Sequence, residues 1–423
     1  MLSLLAAATV GAAEKPRPLM RDFIGLCGHT VQFKPDLYAP VTRQVRDYHP
    51  VKWDFGDDTS YAVKFPFARN GVDWSSVYGS WKKAGYRAHA SLMFDDLEPA
   101  AWKDLPRDAL AYGQAFGSAF GTMLEAVEIG NEPGKYDDAT YRKLFEAMAR
   151  GLRESAPELR IATCAANLGT SGRYSKSVDC LAGIESLYDI VNIHNYAEIE
   201  GWPTWKRSYA EDPKINFLKD IRSVLTWRNE YAPEKEVWLT EFGWDATTKE
   251  RPMTGDFAKW EGSTETQQAQ WTVRGFIVLA ALGVDRAYLY FFNDDDTPHV
   301  HGSSGLTRNF VPKPAFHAVA HLQRSLGDFR FVKTLREDGT GHIYEFENAA
   351  QQRVLVAWKP DFPAAALTLE LGKKKVVKAE RMPLSAGAVV NAPFEMKGDT
   401  VVIEASESPV YLWLKNSGRE DLN

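Results

Sequence analysis

The chain has 423 residues, 44% of them hydrophobic, and a formal net charge of −6 at pH 7. A chain of this length holds more than one domain unless one of them is a barrel, and its hydrophobic fraction allows a large core. Because it is acidic and has no basic run, nucleic acid and anionic membranes are not expected partners.

Its three cysteines do not make a disulfide framework, although Cys164 and Cys180 could pair, and its nine histidines are too scattered to predict a metal site.

The first residues, 1–13, are mostly apolar or small, and polar sequence begins at Glu14. This pattern resembles the apolar part of a secretory signal, although the basic beginning typical of such signals is missing. A disordered start is the alternative. No later stretch is long and apolar enough to span a bilayer, so we expect a secreted or periplasmic protein without membrane insertion.

Strand-like and helix-like segments alternate between residues 20 and 325. Short apolar runs bounded by turn residues indicate strands, and apolar residues at three- and four-residue spacing indicate helices. The strands are predicted at 23–27, 51–55, 87–94, 126–129, 160–165, 190–193, 237–240 and 287–291. The helices are predicted at 74–84, 107–120, 141–154, 215–230, 264–282 and 315–326.

This alternation predicts an α/β fold, a (β/α)8 TIM barrel over residues 20–327. The competing arrangement is a doubly wound parallel sheet, but the glycine-rich phosphate loop of that fold is not found in the sequence. From residue 328 the pattern changes to short β-rich runs separated by turns, which predict a C-terminal antiparallel β-sandwich over 328–418. Its strands are predicted at 329–335, 342–347, 353–358, 365–371, 376–381, 401–404 and 410–414.

Two of the predicted barrel strands end in a glutamate. Glu132 lies in the turn Asn131-Glu132-Pro133, and Glu241 lies 109 residues later in Thr240-Glu241-Phe242-Gly243-Trp244. A carboxylate at the exit of a buried strand is costly unless it is needed there, and strands four and seven of a barrel face each other across its mouth. Two carboxyl groups about 5 to 5.5 Å apart are the equipment of a retaining glycosidase. The alternatives are a surface turn for Glu132 and a buried ion pair for Glu241.

These motifs and their spacing resemble glycoside hydrolase clan A, the TIM-barrel retaining glycosidases. With the C-terminal sandwich and the Pro-Lys-Pro-Ala-Phe start of the last helix at 312–316, the chain is most similar to family 39 or its relatives. The resemblance implies that Glu132 is the acid/base and Glu241 the nucleophile, and that no cofactor or metal is used. It also implies that Asn131 binds the sugar 2-hydroxyl, that His194 and Tyr196 contact the nucleophile or substrate, and that Arg46 pairs with the nucleophile.

Other polar and aromatic residues near the predicted strand ends are candidate substrate contacts. In the clan, strand eight commonly ends in Trp; here Phe291, Phe292 and Asn293 stand at that place. For each candidate, packing in the core or under a loop is the alternative. Glu128 lies on the same side of its strand as Glu132, and we expect it to form a structural ion pair. The candidate contacts are His29, Gln32, Trp53, Asp54, Trp244 and Asn293.

The sequence therefore predicts a retaining β-glycoside hydrolase that cleaves a polysaccharide or oligosaccharide by double displacement. One alternative is a catalytically inactive carbohydrate-binding barrel protein, which activity on aryl β-glycosides would exclude. The other is a metal-dependent barrel hydrolase, which unchanged activity after chelation would exclude.

Overall fold

The computed structural model describes residues 16–60, 67–360, 363–387 and 389–416. The signal-like segment 1–13 lies outside these residues. Within the described ranges, none of the helices has the length and apolar character needed to cross a membrane.

Eight parallel strands form a closed barrel, as the alternating sequence pattern predicts. Each strand pairs with the next along the chain, and the eighth pairs with the first through Leu26 and Leu289. The strands are β1 (Ile24–Gly28), β2 (Gln44–Pro50), β3 (Arg87–Met93), β4 (Ala126–Ile129), β5 (Arg160–Asn167), β6 (Ile190–His194), β7 (Glu236–Phe242) and β8 (Arg286–Leu289).

Helices surround the barrel and begin and end where the sequence provides caps. The Asp137 side chain accepts a hydrogen bond from the Thr140 N–H, and Thr264 forms a capping box with Gln267. The α-helices are α1 (Met20–Phe23), α2 (Pro35–Tyr38), α3 (Val51–Phe55), α4 (Trp74–Lys83), α5 (Leu105–Phe120), α6 (Asp138–Ser155), α7 (Phe217–Tyr231), α8 (Glu265–Leu282) and α9 (Pro314–Leu326). The 3₁₀ helices are Pro99–Ala101, Val178–Leu181 and Glu185–Leu187, and the short loop strands are Lys176–Ser177, Glu198–Glu200, Lys206–Arg207, Asn293–Asp294, Thr307–Arg308 and Val311–Pro312.

The prediction for the second strand is wrong. The strand is Gln44–Pro50, and the segment predicted as a strand, Val51–Phe55, is the short helix α3. Polar side chains occupy both faces of β2: Arg46 is bonded to Glu128 inside the barrel, and His49 stacks on Trp74 outside it. Because neither face is apolar, hydrophobic periodicity gives no signal for this strand.

The C-terminal residues form two packed antiparallel sheets, a β-sandwich. The strands are β9 (Phe329–Asp338), β10 (Gly341–Asn348), β11 (Arg353–Trp358), β12 (Ala365–Glu370), β13 (Lys374–Arg381), β14 (Val390–Asn391), β15 (Phe394–Lys397), β16 (Thr400–Ala405) and β17 (Val410–Asn416). One sheet has the strand order β9-β10-β11-β17-β13-β14, and the other has the order β12-β16-β15. Strands β14 and β15 were not predicted; the β14 residues are exposed on both faces, so they carry no burial pattern.

In the larger sheet of the sandwich, strands β10 and β11 are buried on both faces. Along β11, Val354 and Val356 pack into the core of the barrel and its helices, whereas Leu355 packs against the smaller sheet. A polar contact reinforces the junction: the Trp358 indole N–H donates to Glu211 Oε1 at 2.7 Å, and Arg274 Nε donates to the same oxygen at 2.6 Å. The sandwich therefore packs directly against the barrel.

Candidate active site

The two glutamates at the ends of β4 and β7 lie together at the mouth of the barrel. One carboxylate oxygen of Glu132, one of Glu241 and a ring nitrogen of His194 all lie within 4.8 Å of one another. All three residues lie at or beyond the carboxyl ends of parallel strands, the edge at which barrel active sites form. The fold thus brings together residues that are far apart in the sequence.

A sharp turn after β4 presents Glu132. Gly130 has φ +90°, a conformation that disfavours residues with a side chain. The backbone N–H of Glu132 then donates to Asp95 Oδ1 at 2.7 Å. Its side chain is 25% exposed, and Oε1 lies 3.0 Å from His194 Nδ1. This carboxyl group is therefore open to the solvent side of the mouth.

Glu241 is more deeply enclosed, with a side chain that is 9% exposed. The register of β7 shifts between Leu239 and Glu241, an irregularity of the kind that redirects a side chain. Its Oε1 accepts hydrogen bonds from Arg46 Nη1 at 2.9 Å and from the Tyr48 hydroxyl at 2.7 Å. Its Oε2 accepts from the Tyr196 hydroxyl at 2.9 Å.

These surroundings set the charge of Glu241. Burial by itself raises the pKa of this carboxyl, but the charges of His194 and Arg46 and the Tyr48 hydrogen bond lower the pKa to about 2. Glu241 is therefore ionised at neutral pH and held in one orientation.

Arg46 connects the site to the barrel interior. Its guanidinium is fully buried and donates to Glu128 at 2.9 and 2.8 Å, to Glu241 at 2.9 Å and to Asn131 Oδ1 at 2.8 Å. The ion pair predicted for Glu128 is confirmed. Because Arg46 uses the Asn131 carbonyl oxygen, the amide NH₂ of Asn131 is the group that can donate to a ligand.

His194 lies between the two glutamates. Burial lowers its pKa, but the Glu241 charge and the hydrogen bond with Glu132 outweigh this and raise the pKa above its ordinary value. The Thr240 hydroxyl donates to Asn192, so its oxygen can accept from His194 Nε2 at 3.1 Å. Nδ1 can then donate to Glu132 Oε1, so each ring nitrogen has an acceptor within reach when the ring is protonated.

Three of the predicted substrate contacts, His29, Gln32 and Trp53, line one cleft beside the site. The cleft has a volume of about 330 Å³, and it is also lined by Asp96 and by the Tyr48 that holds Glu241. Trp53 is 38% exposed, so part of its ring is available. Burial lowers the pKa of His29, which favours the neutral ring.

Other predicted contacts lie elsewhere. Trp244 is 1% exposed, packs against Trp271 and donates its indole N–H to the Ser208 carbonyl, so the expectation that it contacts sugar is corrected. Asn293 uses its Oδ1 within its own loop, accepting from the Thr307 hydroxyl and from the Phe310 N–H. Asp54 is buried among α3, α4 and α5, where it binds His49, Trp74 and Tyr112.

Sequence reasoning missed three residues of this site. Tyr48 lies on β2, two positions after Arg46, so a correct strand assignment would have placed it beside Arg46. Asp95 follows β3, and His301 contacts Tyr196 with ring centroids 4.7 Å apart. Both come from loops, whose approach to the site follows no periodic pattern.

The site also holds potential metal ligands, and a cysteine lies beneath it. Two carboxylates and an imidazole are ligands that transition metals accept. In this structure Arg46 donates to an oxygen of Glu241, and His194 is hydrogen-bonded to an oxygen of Glu132. Cys27 lies under the site, donates to the Thr240 carbonyl and has its pKa raised to about 12 by burial, so its thiol is neutral. Cys164 and Cys180 are free thiols and do not pair.

The fold and the site define a (β/α)8 barrel with a pair of glutamates at its mouth, joined to a β-sandwich. No protein-family model and no curated protein matches the chain. Solved structures match it along nearly its whole length. They include a family 39 glycoside hydrolase from the gut symbiont Bacteroides cellulosilyticus WH2, at 19% identity and a TM-score of 0.71, covering 94% of this chain and 81% of that one.

Two further matches have the same architecture. A glucosidase from Croceicoccus marinus has 14% identity and a TM-score of 0.64, with 95% and 97% of the two chains covered. A family 51 arabinofuranosidase from Xanthomonas axonopodis pv. citri has 12% identity and a TM-score of 0.62, with 95% and 98% covered. At these identities the likeness is one of fold. The fold expected from the resemblance to clan A is confirmed.

Proposed function

We propose that this protein is a retaining β-glycoside hydrolase that acts on a polysaccharide or oligosaccharide, with Glu241 as nucleophile and Glu132 as acid/base. The observation that carries the proposal is the approach of the two carboxylates to within 4.8 Å at the barrel mouth. Retaining enzymes place these groups about 5 to 5.5 Å apart, whereas inverting enzymes need about 6.5 to 9.5 Å to admit a water molecule.

In the first step, an ionised oxygen of Glu241 forms a bond to the anomeric carbon. The bond from that carbon to the leaving oxygen breaks, and the leaving oxygen takes the proton of Glu132. The low pKa of Glu241 supports its role because the nucleophile must be ionised. The hydrogen bond from His194 to Oε1 of Glu132 leaves Oε2 as the atom that carries the proton.

In the second step, Glu132 removes a proton from water. The water oxygen bonds to the anomeric carbon, and the ester bond to Glu241 breaks with its electron pair returning to the carboxylate. Both glutamates regain their starting states, and the product keeps the anomeric configuration of the substrate.

The cleft beside Glu241 is the proposed place for a sugar ring. His29, Gln32 and Asp96 offer polar atoms, and the exposed part of Trp53 offers an apolar face. The Asn131 amide is the proposed donor to the sugar 2-hydroxyl, since its carbonyl oxygen is taken by Arg46. Tyr196 is proposed to act on the nucleophile rather than on the sugar.

Three further assignments rest on the sequence. We propose a catalytic barrel over 20–327, a sandwich domain over 328–418 and export through a signal in residues 1–13. Asn293 stays a candidate contact through its amide NH₂.

The test is a screen of the full chain against β-linked polysaccharides and aryl β-glycosides, with the first-formed product followed by proton NMR. We expect hydrolysis in which the β-anomer appears first, before mutarotation. An α-anomer formed first would contradict the double displacement. Binding of a glycan without any hydrolysis would favour the inactive carbohydrate-binding barrel, and loss of activity on chelation would favour metal-dependent hydrolysis.

A further inference from the structure

Asp95 is a third carboxylate beside the catalytic pair, and the proposed reaction does not yet use it. It follows β3 and comes from a different strand than either glutamate. Its Oδ1 accepts the backbone N–H of Glu132 at 2.7 Å. Its Oδ2 is buried and has no hydrogen-bond partner among the residues that the structure describes.

Asp95 holds the part of the chain that carries the proposed general acid. The Glu132 carbonyl accepts from the Gly134 N–H at 2.7 Å, so a tight turn follows immediately. Among the described residues, His194 is the only hydrogen-bond partner found for the Glu132 side chain. The hydrogen bond from the Glu132 N–H to Asp95 therefore fixes the backbone position from which this partly exposed side chain extends.

Burial and neighbouring charged groups influence the protonation of Asp95. Burial is the main cause that raises its pKa, to about 7, and the carboxylates of Glu132 and Glu128 raise it further, while the N–H of Glu132 lowers it. Lys135, whose charge interacts with Asp95, forms an ion pair with Glu98 at 2.9 Å. The titratable and charged groups that face Asp95 are Glu128, Glu132, Lys135, Tyr136 and Cys164.

We propose that Asp95 is a positioning residue for the general acid: its Oδ1 fixes the Glu132 backbone, and with it the place from which the acid side chain extends. A general acid works only within hydrogen-bond reach of the leaving oxygen, and a displacement of about 1 Å can cost about 100-fold in rate.

The inference rests on the proposed function, and the experiment separates the two. The full chain is compared with Asp95→Ala, which loses the anchor, and with Asp95→Asn, whose carbonyl still accepts the Glu132 N–H. Glu98→Gln removes one exposed carboxylate of the same loop and is the matched control. Glu132→Ala is the reference for loss of the acid. The substrates are a 2,4-dinitrophenyl β-glycoside, which needs little acid help, and the corresponding phenyl β-glycoside, which needs more.

For Asp95→Ala we expect kcat/KM to fall about 10- to 100-fold with the phenyl glycoside and less than about 3-fold with the dinitrophenyl glycoside. For Asp95→Asn, which keeps an acceptor for the Glu132 N–H, we expect kcat/KM to stay within about 3-fold of the wild type with both substrates. Glu98→Gln is expected to match the wild type in both measurements.

Equal losses on the two substrates in Asp95→Ala, or a loss with the phenyl glycoside in Asp95→Asn as large as that in Asp95→Ala, would overturn the positioning role. Should Asp95→Ala fail to fold, Asp95→Leu, which also lacks the acceptor, takes its place in the comparison. A wild type that hydrolyses neither substrate nor any glycan of the screen overturns the proposed function and this role together. A normal wild type with an unaffected Asp95→Ala overturns this role only.

Discussion

The barrel and the sandwich are both well buried, but they are filled with different chemistry. Inside the barrel, charged and polar side chains are fully enclosed. Between the sandwich sheets, the enclosed side chains are aliphatic. The barrel interior holds Gln44, Arg46, His89, Glu128 and Asn192, and the sandwich interior holds Ile343, Leu355, Leu367, Val401, Ile403 and Leu412.

The two interiors therefore have different roles. Burying aliphatic groups stabilises a fold by about 25 cal/mol for each Å² removed from water. Burying an ion pair such as Arg46 with Glu128 contributes little net stability, because desolvation offsets the attraction. We infer that the sandwich interior serves stability and that the barrel interior serves to orient Glu241.

The largest expected effect follows from the barrel side of this comparison. Glu241→Gly should lower kcat by about four orders of magnitude or more, because the covalent step has no other nucleophile. External azide should restore turnover and give the α-glycosyl azide, which NMR identifies. Glu404→Ala, on the exposed face of β16, is the control and should leave kcat unchanged. Failure of azide to rescue Glu241→Gly would count against the nucleophile role.

The second prediction separates orientation from stability within the barrel. Arg46→Met should lower the free energy of unfolding by about 3–5 kcal/mol, because Glu128 is left buried without its cation. The double variant Arg46→Met/Glu128→Leu should recover most of that loss in urea unfolding. Its activity should remain low, since Glu241 still lacks the guanidinium. Recovery of activity together with stability would refute the inferred division of tasks.

The third prediction addresses the sandwich. Leu412 is fully buried on β17, with Leu355 opposite it on β11. Leu412→Ala should lower the free energy of unfolding by about 2–5 kcal/mol through lost burial and a cavity. The kcat of the folded fraction should stay at the wild-type value. A selective loss of kcat without loss of stability would mean that the sandwich takes part in the site.

The smallest effect is on the pH dependence of stability. The pKa of Glu241 is about 2 in the folded protein and 4.5 as the ordinary value, so the unfolded chain takes up the proton first. The stabilisation that ionised Glu241 gives to the folded protein is fully present above pH 4.5 and is lost as the pH falls towards 2. It contributes up to about 3 kcal/mol to the free energy of unfolding. Urea unfolding at pH 5 and pH 3 should show a smaller loss of stability in Glu241→Gln than in the wild type. Equal losses in the two proteins would show that this carboxyl is not held ionised.

Local pattern was sufficient for most of the architecture. Strand β4 matches its predicted bounds, and the capping box at Thr264 starts α8 as predicted. These elements have one apolar face or an apolar run, which the sequence displays directly. Strand β2 was missed because Arg46 and His49 make both of its faces polar.

The site was predicted unevenly for a related reason. Glu132 and Glu241 stand out because a carboxylate at the end of an apolar strand is unusual. Trp244 follows Glu241 and was therefore a candidate sugar contact, yet it packs against α8 in the core. The sequence did not indicate Asp95 as a site residue, because aspartate is common in loops and its contact with Glu132 is visible only in the structure.

The sequence by itself determined the succession of strands and helices, the change to a sandwich near residue 328, and the two glutamates at strand ends. Periodic burial and chain breaks are local properties, and the linear sequence records them. The resemblance to clan A, and no local pattern, led us to expect Arg46 and Tyr196 at Glu241. Tertiary structure alone decided that Tyr48 and Asp95 also lie at those glutamates. Their position there depends on barrel closure and on loop paths, which bring residues from distant strands together and leave no periodic trace in the chain.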